Sequence, residues 1–146
     1  MGGRYGAVKK IVVFPLLCRN IDEGVDEMKK DIELIRKMLI IFEDNNDEYY
    51  HIAHDKPLEI EQYTEKEIAY NLKNMFSDEL VEGDKYIPGL EIVEVVVKPS
   101  SKGHDFVKMA KDEGIWSSFK TKTGDKLHTM SIDMIINSLM NFFSNF

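Results

Sequence analysis

One cysteine, one tryptophan and four prolines in 146 residues remove several classes of protein from consideration. A lone thiol, Cys18, closes no intrachain disulfide, so the chain is not a disulfide scaffold, and it suits a reducing, cytoplasmic setting. No apolar run approaches the ~18–20 residues of a membrane-spanning helix. Positive charge is scarce too: 19 lysines and arginines face 26 carboxylates, a net charge of −7. That argues against a surface dominated by phosphate binding, because a duplex repels net negative charge, but leaves room for a local basic stripe.

Catalytic signatures are also missing. There is no phosphate-binding glycine loop, G-x-S-x-G elbow, H-E-x-x-H or paired-cysteine metal motif. His104-Asp105 forms no dyad by spacing alone, since neighbours on a helix point about 100° apart. His51-Ile52-Ala53-His54-Asp55 offers two imidazoles and a carboxylate, but a metal site needs further ligands, so the stretch reads as a polar loop. The expectation is a chain with no enzymatic site, no cofactor and no metal.

What is present is a globular composition. Hydrophobic residues make up 43% of the chain, enough for one domain with a real core. Residues 28–146 read as that domain and residues 1–27 as an N-terminal extension. Three readings of the extension stay open. Lys9-Lys10 followed by Ile11 to Leu17 and Cys18 has the charge order of a signal, but the apolar run is short and Leu17 stands where a small residue belongs. Val8 to Phe14 has the propensity of an added edge strand. Alternatively, translation starts at Met28, because the codons for Glu23-Gly24-Val25 supply a purine-rich string upstream of it. Peptides from residues 1–27 in the native protein separate this last reading from the others.

Within the domain, Met28, Ile32, Ile35, Leu39 and Phe42 recur at helical spacing, widened by Leu34, Met38 and Ile41, and predict a helix from Met28 to Asp44. Ile40 falls outside the stripe. Tyr49 to Pro57 reads as loop, and the alternation Leu58-Glu59-Ile60-Glu61 as a short half-buried strand. Thr64-Glu65-Lys66-Glu67 is a capping box opening a second helix over 64–78, with Ile68, Ala69, Leu72, Met75 and Phe76 inward. Leu80-Val81 leads outward. Gly83 to Lys98 reads as a β-hairpin turning at Pro88-Gly89. Ser100 or Ser101 caps a helix bearing Phe106, Val107, Met109 and Ala110, and Gly114 stops it. Trp116 and Phe119 close over the core, and Gly124 marks a break. Ser131 caps a last helix with Ile132, Ile135, Ile136, Leu139, Phe142 and Phe143 on one face. The fold class is α+β, and the order of helix, strand, helix, hairpin and C-terminal helices is that of a winged-helix module.

Three blocks carry a family resemblance: M-K-K-D-I-E-L-I-R-K-M-L from Met28, L-E-I-E-Q-Y-T-E-K-E-I-A-Y-N-L-K-N-M from Leu58, and S-K-G-H-D-F-V-K-M-A-K-D-E-G-I-W-S-S-F from Ser101. Together they resemble the bacterial domain of unknown function 2513 family. The resemblance implies a phage or prophage setting and a winged-helix-like fold. It implies no activity and carries no functional residues to transfer.

Two binding classes follow. In a winged helix, the helix before the wing enters the major groove. On the second helix, Lys66, Tyr70, Lys73 and Ser77 form one stripe at spacings of four, three and four, with Asn74 beside it. Lysine and asparagine read base edges, and tyrosine and serine bind phosphate. Against a DNA-binding regulator stand Glu61, Glu65, Glu67 and Asp78 around that helix, and Glu82, Asp84, Glu91 and Glu94 against Lys85 and Lys98 on the wing. Acidic flanks instead suit a protein-interaction module that meets a basic host or phage protein. Ile40, Phe142, Phe143 and Phe146 offer apolar contacts for a homodimer.

Overall fold

The computed structural model describes residues 28–145 apart from residue 47. The readings of residues 1–27 and of Phe146 fall outside it. The elements run α1 (Ile32–Glu43), β1 (Tyr50–Ala53), α2 (Glu65–Ser77), β2 (Val81–Tyr86), β3 (Glu94–Pro99), α3 (Ser101–Ala110), α4 (Glu113–Thr123), a 3-10 helix (Gly124–Thr129) and α5 (Ile132–Ser144). The architecture is α+β: helices packed with a small three-stranded antiparallel sheet.

The sheet order is β1-β3-β2, so β3 is central and antiparallel to both neighbours. Ile52 lies opposite Val95 and Tyr50 opposite Val97. Directly opposed residues share a face, and Ile52, Val95 and Val97 bury that face against the helices. The other face stays open and carries His51, Glu82, Asp84, Tyr86, Glu94 and Lys98.

The structure differs from the sequence expectation at three stretches. Tyr49 to Pro57, read as loop, contains β1, while Leu58 to Glu61, read as a strand, has no regular structure. Alternation alone cannot decide between the two, because pairing with the strongly β-branched Val95-Val96-Val97 selects the strand that reaches it. Leu80 and Val81 do not lead outward: Leu80 is fully buried and Val81 starts β2. A Cβ added at Gly103 would lie 2.1 Å from the Leu80 carbonyl oxygen, so glycine there lets α3 seat against this backbone.

Further boundaries move by a residue or a turn. The first helix begins at Ile32 because Asp31 is its N-cap, accepting from the Glu33 and Leu34 amides at 2.9 and 3.2 Å. Gly114 does not stop α3. It lies in the first turn of α4, which Asp112 caps. Ile40 is half-buried and packs against the core. Phe142 also packs on the core, whereas Phe143, expected on the buried face, is exposed. Trp116 and Phe119 are buried, and Trp116 meets Phe106 edge-on with ring centroids 5.9 Å apart.

The helical half is braced by a buried arginine. Arg36 of α1, 3% exposed, donates from Nε to the Ala110 carbonyl at 2.7 Å and from Nη2 to the Lys111 carbonyl at 3.4 Å. It thereby satisfies the C-terminal end of α3, where a cation is favoured. The same guanidinium pairs with Glu113 at 3.1 Å and lies 5.5 Å from the centre of the Trp116 ring. Glu33, one turn earlier, accepts from the Trp116 indole at 2.5 Å and from Lys120 at 3.1 Å. One face of α1 therefore fixes α3 and α4.

Two outcomes are expected. Arg36→Ala leaves α3's last carbonyls without their donor and Glu113 without its cation, and lowers stability by about 3 kcal/mol in urea unfolding. Burial pushes the Glu33 carboxyl upward, but hydrogen bonds from Trp116 and Lys120 and the charges of Lys120 and Arg36 outweigh it and hold the group below its ordinary value of 4.5. The folded-state value is the lower one, so its stabilisation is complete above about pH 4.5 and disappears as pH falls through the folded value. Glu33→Gln should therefore show a shallower loss of stability on acidification, measured as the urea midpoint in steps from about pH 6 to about pH 3.

Candidate functional site

α2 starts where the sequence placed it. Thr64 accepts from the Glu67 amide at 3.1 Å and Glu67 accepts from the Thr64 amide at 2.8 Å. Its buried arc is Ile68, Ala69, Leu72 and Met75, with Phe76 half-buried against the core. The arc also holds Asn71, a residue that periodicity leaves unremarked. Asn71 is 1% exposed, accepts from the Asp31 amide at 2.7 Å and donates to the Glu67 carbonyl at 2.9 Å. It fastens the start of α1 to α2.

The five residues expected to read nucleic acid are distributed as follows. Lys66 and Ser77 are exposed, while Tyr70, Lys73 and Asn74 are half-buried. Lys73 donates to the Gly89 carbonyl in the hairpin loop at 2.7 Å, and Asn74 donates to the Tyr70 carbonyl at 3.1 Å. The helix spacing does bring the stripe onto one face. Its central lysine is nevertheless engaged by the hairpin, and its amide nitrogen by the helix backbone.

The surroundings are acidic. Residues 43–99 contain five lysines and fifteen carboxylates, whereas residues 100–146 contain six lysines and five carboxylates. Charge is thus divided between the half that holds α2 and the hairpin and the half that holds α3 to α5.

A cleft of about 480 Å³ opens at the N-terminal end of α2, within the acidic half. Its floor is the buried side chains Ile52, Leu58, Ile68 and Ile92. Its rim includes the exposed Glu59, Glu61 and Glu65, with His54 beside them, and no lysine or arginine lines it. Gln62 holds φ at 76°, a left-handed conformation unusual for a non-glycine residue, in the turn between Glu61 and Tyr63. Tyr63, which also lines the cleft, is hydrogen-bonded to the Asp31 side chain.

The sequence carries signals for this cleft, although spacing alone reads them as a strand and a helix flank. Leu58 and Ile60 supply apolar wall as irregular chain, and Glu59, Glu61 and Glu65 crowd one rim. Nothing in the spacing showed that Ile52 and Ile92 would join them, because those contacts depend on tertiary packing. The histidines do not converge: His51 on the open sheet face pairs with Glu94 at 3.2 Å, and His104 pairs with Glu43 at 3.3 Å. Among the described residues, no group of three or more histidine, cysteine or carboxylate side chains is placed to hold a metal ion, and no helix is long and apolar enough to cross a membrane.

Fold and surface together define a small α+β domain with an acidic cleft. Residues 29–129 match the family described as Hypothetical protein (DUF2513), and the chain belongs to that family. No curated protein and no solved structure matches it.

Tyr63 provides a check on this geometry. Burial, then the charge of Asp31 and the hydrogen bond to it, pushes the phenol up to about 12. Since the folded-state value is the higher one, the stabilisation is present below about pH 10 and is lost as pH rises toward the folded value. Tyr63→Phe should flatten the alkaline loss of stability, and an ultraviolet titration should show one phenol fewer among those ionising last.

Proposed function

We propose that this protein is a winged-helix-like binding module, cytoplasmic and without an enzymatic site, whose partner is a host or phage protein with a basic surface. The order of α1, β1, α2 and the β2–β3 hairpin supports the winged-helix-like reading, as does the sheet order β1-β3-β2. The phage or prophage setting is what the family resemblance implies. The observation that carries the protein-interaction reading is the charge of the half that would face DNA. There, fifteen carboxylates accompany five lysines, and Lys73 already donates to the Gly89 carbonyl. Phosphate contacts supply most nonspecific DNA affinity, so a reading helix with acidic flanks and an acidic wing lacks its principal source of binding energy. The same charge steers a basic protein surface toward the domain.

A DNA-binding regulator using α2 is the second reading. It is favoured by the position of α2 immediately before the hairpin and by the exposed Lys66 and Ser77. Fluorescence anisotropy of the full chain against duplex fragments from its own gene neighbourhood, with a scrambled control, tests the two at low and moderate salt. The expected result is no retention on heparin, no salt-sensitive anisotropy change, and no difference for the Lys66→Glu, Lys73→Glu variant. Salt-sensitive binding to the native fragments that this variant abolishes would establish the second reading and overturn the first.

A further inference from the structure

The cleft beside α2 has the shape and chemistry of a docking site, and it makes the partner class above more specific. We infer that it receives a segment of the partner chain in which a lysine or arginine accompanies apolar side chains. This inference rests on the protein-interaction reading and names the place where that contact is made.

Three features of the site support the assignment. The first is size: about 480 Å³ is within the range of pockets that enclose small ligands or several side chains. The second is the division of its lining. Ile52, Leu58, Ile68 and Ile92 form an apolar floor, each less than 9% exposed, while Glu59, Glu61 and Glu65 stand exposed at the rim. A lysine or arginine matches that division, because its methylene stem covers apolar surface while its charged head reaches outward. An anionic occupant would meet three carboxylates and no lining lysine or arginine.

The third feature is backbone. Leu58 and Glu59 lie in the cleft wall outside any helix or strand, and their main-chain N–H and C=O groups bond to no group among the described residues. A peptide laid along the wall can use these groups as well as the floor, which a simple organic cation cannot. The backbone therefore favours a chain segment over a free amine. The wall itself is held in place from behind. Tyr63 is bonded to Asp31, and Asp31 to Asn71, so the cleft is built onto the α1–α2 contact.

The test uses methyl and amide NMR spectra of the full chain. The probes are hexylguanidinium, hexanoate, and a ten-residue peptide of alternating lysine and leucine. Hexylguanidinium is expected to shift the Ile52, Ile68 and Ile92 methyl signals with a dissociation constant on the order of millimolar, typical for so few atoms. Hexanoate should leave these signals in place, and the peptide should saturate them at least tenfold lower in concentration than the fragment.

Glu59→Gln, Glu61→Gln and Glu65→Gln together should weaken both cationic probes about tenfold or more. Glu82→Gln, Asp84→Asn and Glu94→Gln together, on the open sheet face, should leave both unchanged. All six positions are exposed, so both variants should fold as the parent does.

Equal shifts with hexanoate, or cation binding that survives loss of the three rim carboxylates, would overturn the inference. Shifts confined to the open sheet face would overturn the cleft as the site while leaving a basic partner for the domain. A peptide no tighter than the fragment would overturn the chain-segment assignment in favour of a small organic cation. The DNA experiment is independent of all these outcomes, so failure at the cleft and failure of the protein-interaction reading are distinguishable.

Discussion

Arg36 brings a full charge into the helical core, and a buried charge is tolerated there only when acceptors surround it. Its placement explains much of the helical arrangement. α3 ends at Ala110, and its last carbonyls face inward, where water does not reach them easily. The guanidinium supplies donors to two of these carbonyls and an ion pair to Glu113 in the first turn of α4. The chain can therefore pass from α3 to α4 beside α1 with these two carbonyls satisfied. Glu33 completes the arrangement from the same helix face, since it binds the Trp116 indole and Lys120 and moderates the charge of Arg36. Trp116 is then free to bury its ring against Phe106 and Phe119.

The acidic half depends on a second polar fastening at the other end of α1. Asn71 replaces what would otherwise be a leucine-like contact between α2 and the start of α1 with hydrogen bonds to the Asp31 amide and the Lys29 carbonyl. Asp31 caps α1 through its carboxylate, which also meets Tyr63, while its amide donates to Asn71 of α2, so these elements meet at one residue. The cleft lies directly on this junction. Its carboxylate rim is exposed and solvated, which makes the concentration of like charge inexpensive, while its floor is a continuation of the core. Fifteen carboxylates in the surrounding segment give that half a predominantly negative field, and three of them, Glu82, Asp84 and Glu94, carry it onto the sheet's open face.

Much of this fold was legible where a local rule and the tertiary structure agreed. The capping box at Thr64, the serine cap at Ser131 and the break at Gly124 stand where the sequence placed them, and Ser100 takes the cap that the sequence left open between Ser100 and Ser101. The apolar stripes of α1, α2 and α5 bury largely as their spacing requires. Legibility failed where the deciding partner was distant in sequence. β1 was hidden because Tyr50 and Ile52 become strand only through pairing with Val97 and Val95. α4 was hidden because its buried face is narrow, essentially Trp116 and Phe119, and because Gly114 in its first turn resembles a stop signal. Arg36 and Asn71 were passed over for a different reason. Each is polar within an apolar stripe, and spacing shows the position without showing the carbonyls that make it tolerable.

The same limit applies to the stripe on α2, and it bears on function. Spacing put Lys66, Tyr70, Lys73 and Ser77 on one face, which is a statement about backbone geometry and is sound as such. A reading surface also requires its donors to be available. The hairpin loop folds back so that the Gly89 carbonyl meets the Lys73 ammonium, and this contact ties the loop to the helix in the role that a phosphate would play in a complex. For DNA to take Lys73, the loop must give up that bond, and the acidic residues around it would then face phosphate directly. A basic protein asks for neither change. It can meet Glu59, Glu61 and Glu65 as they stand, with the Lys73–Gly89 contact left in place to hold the hairpin against α2.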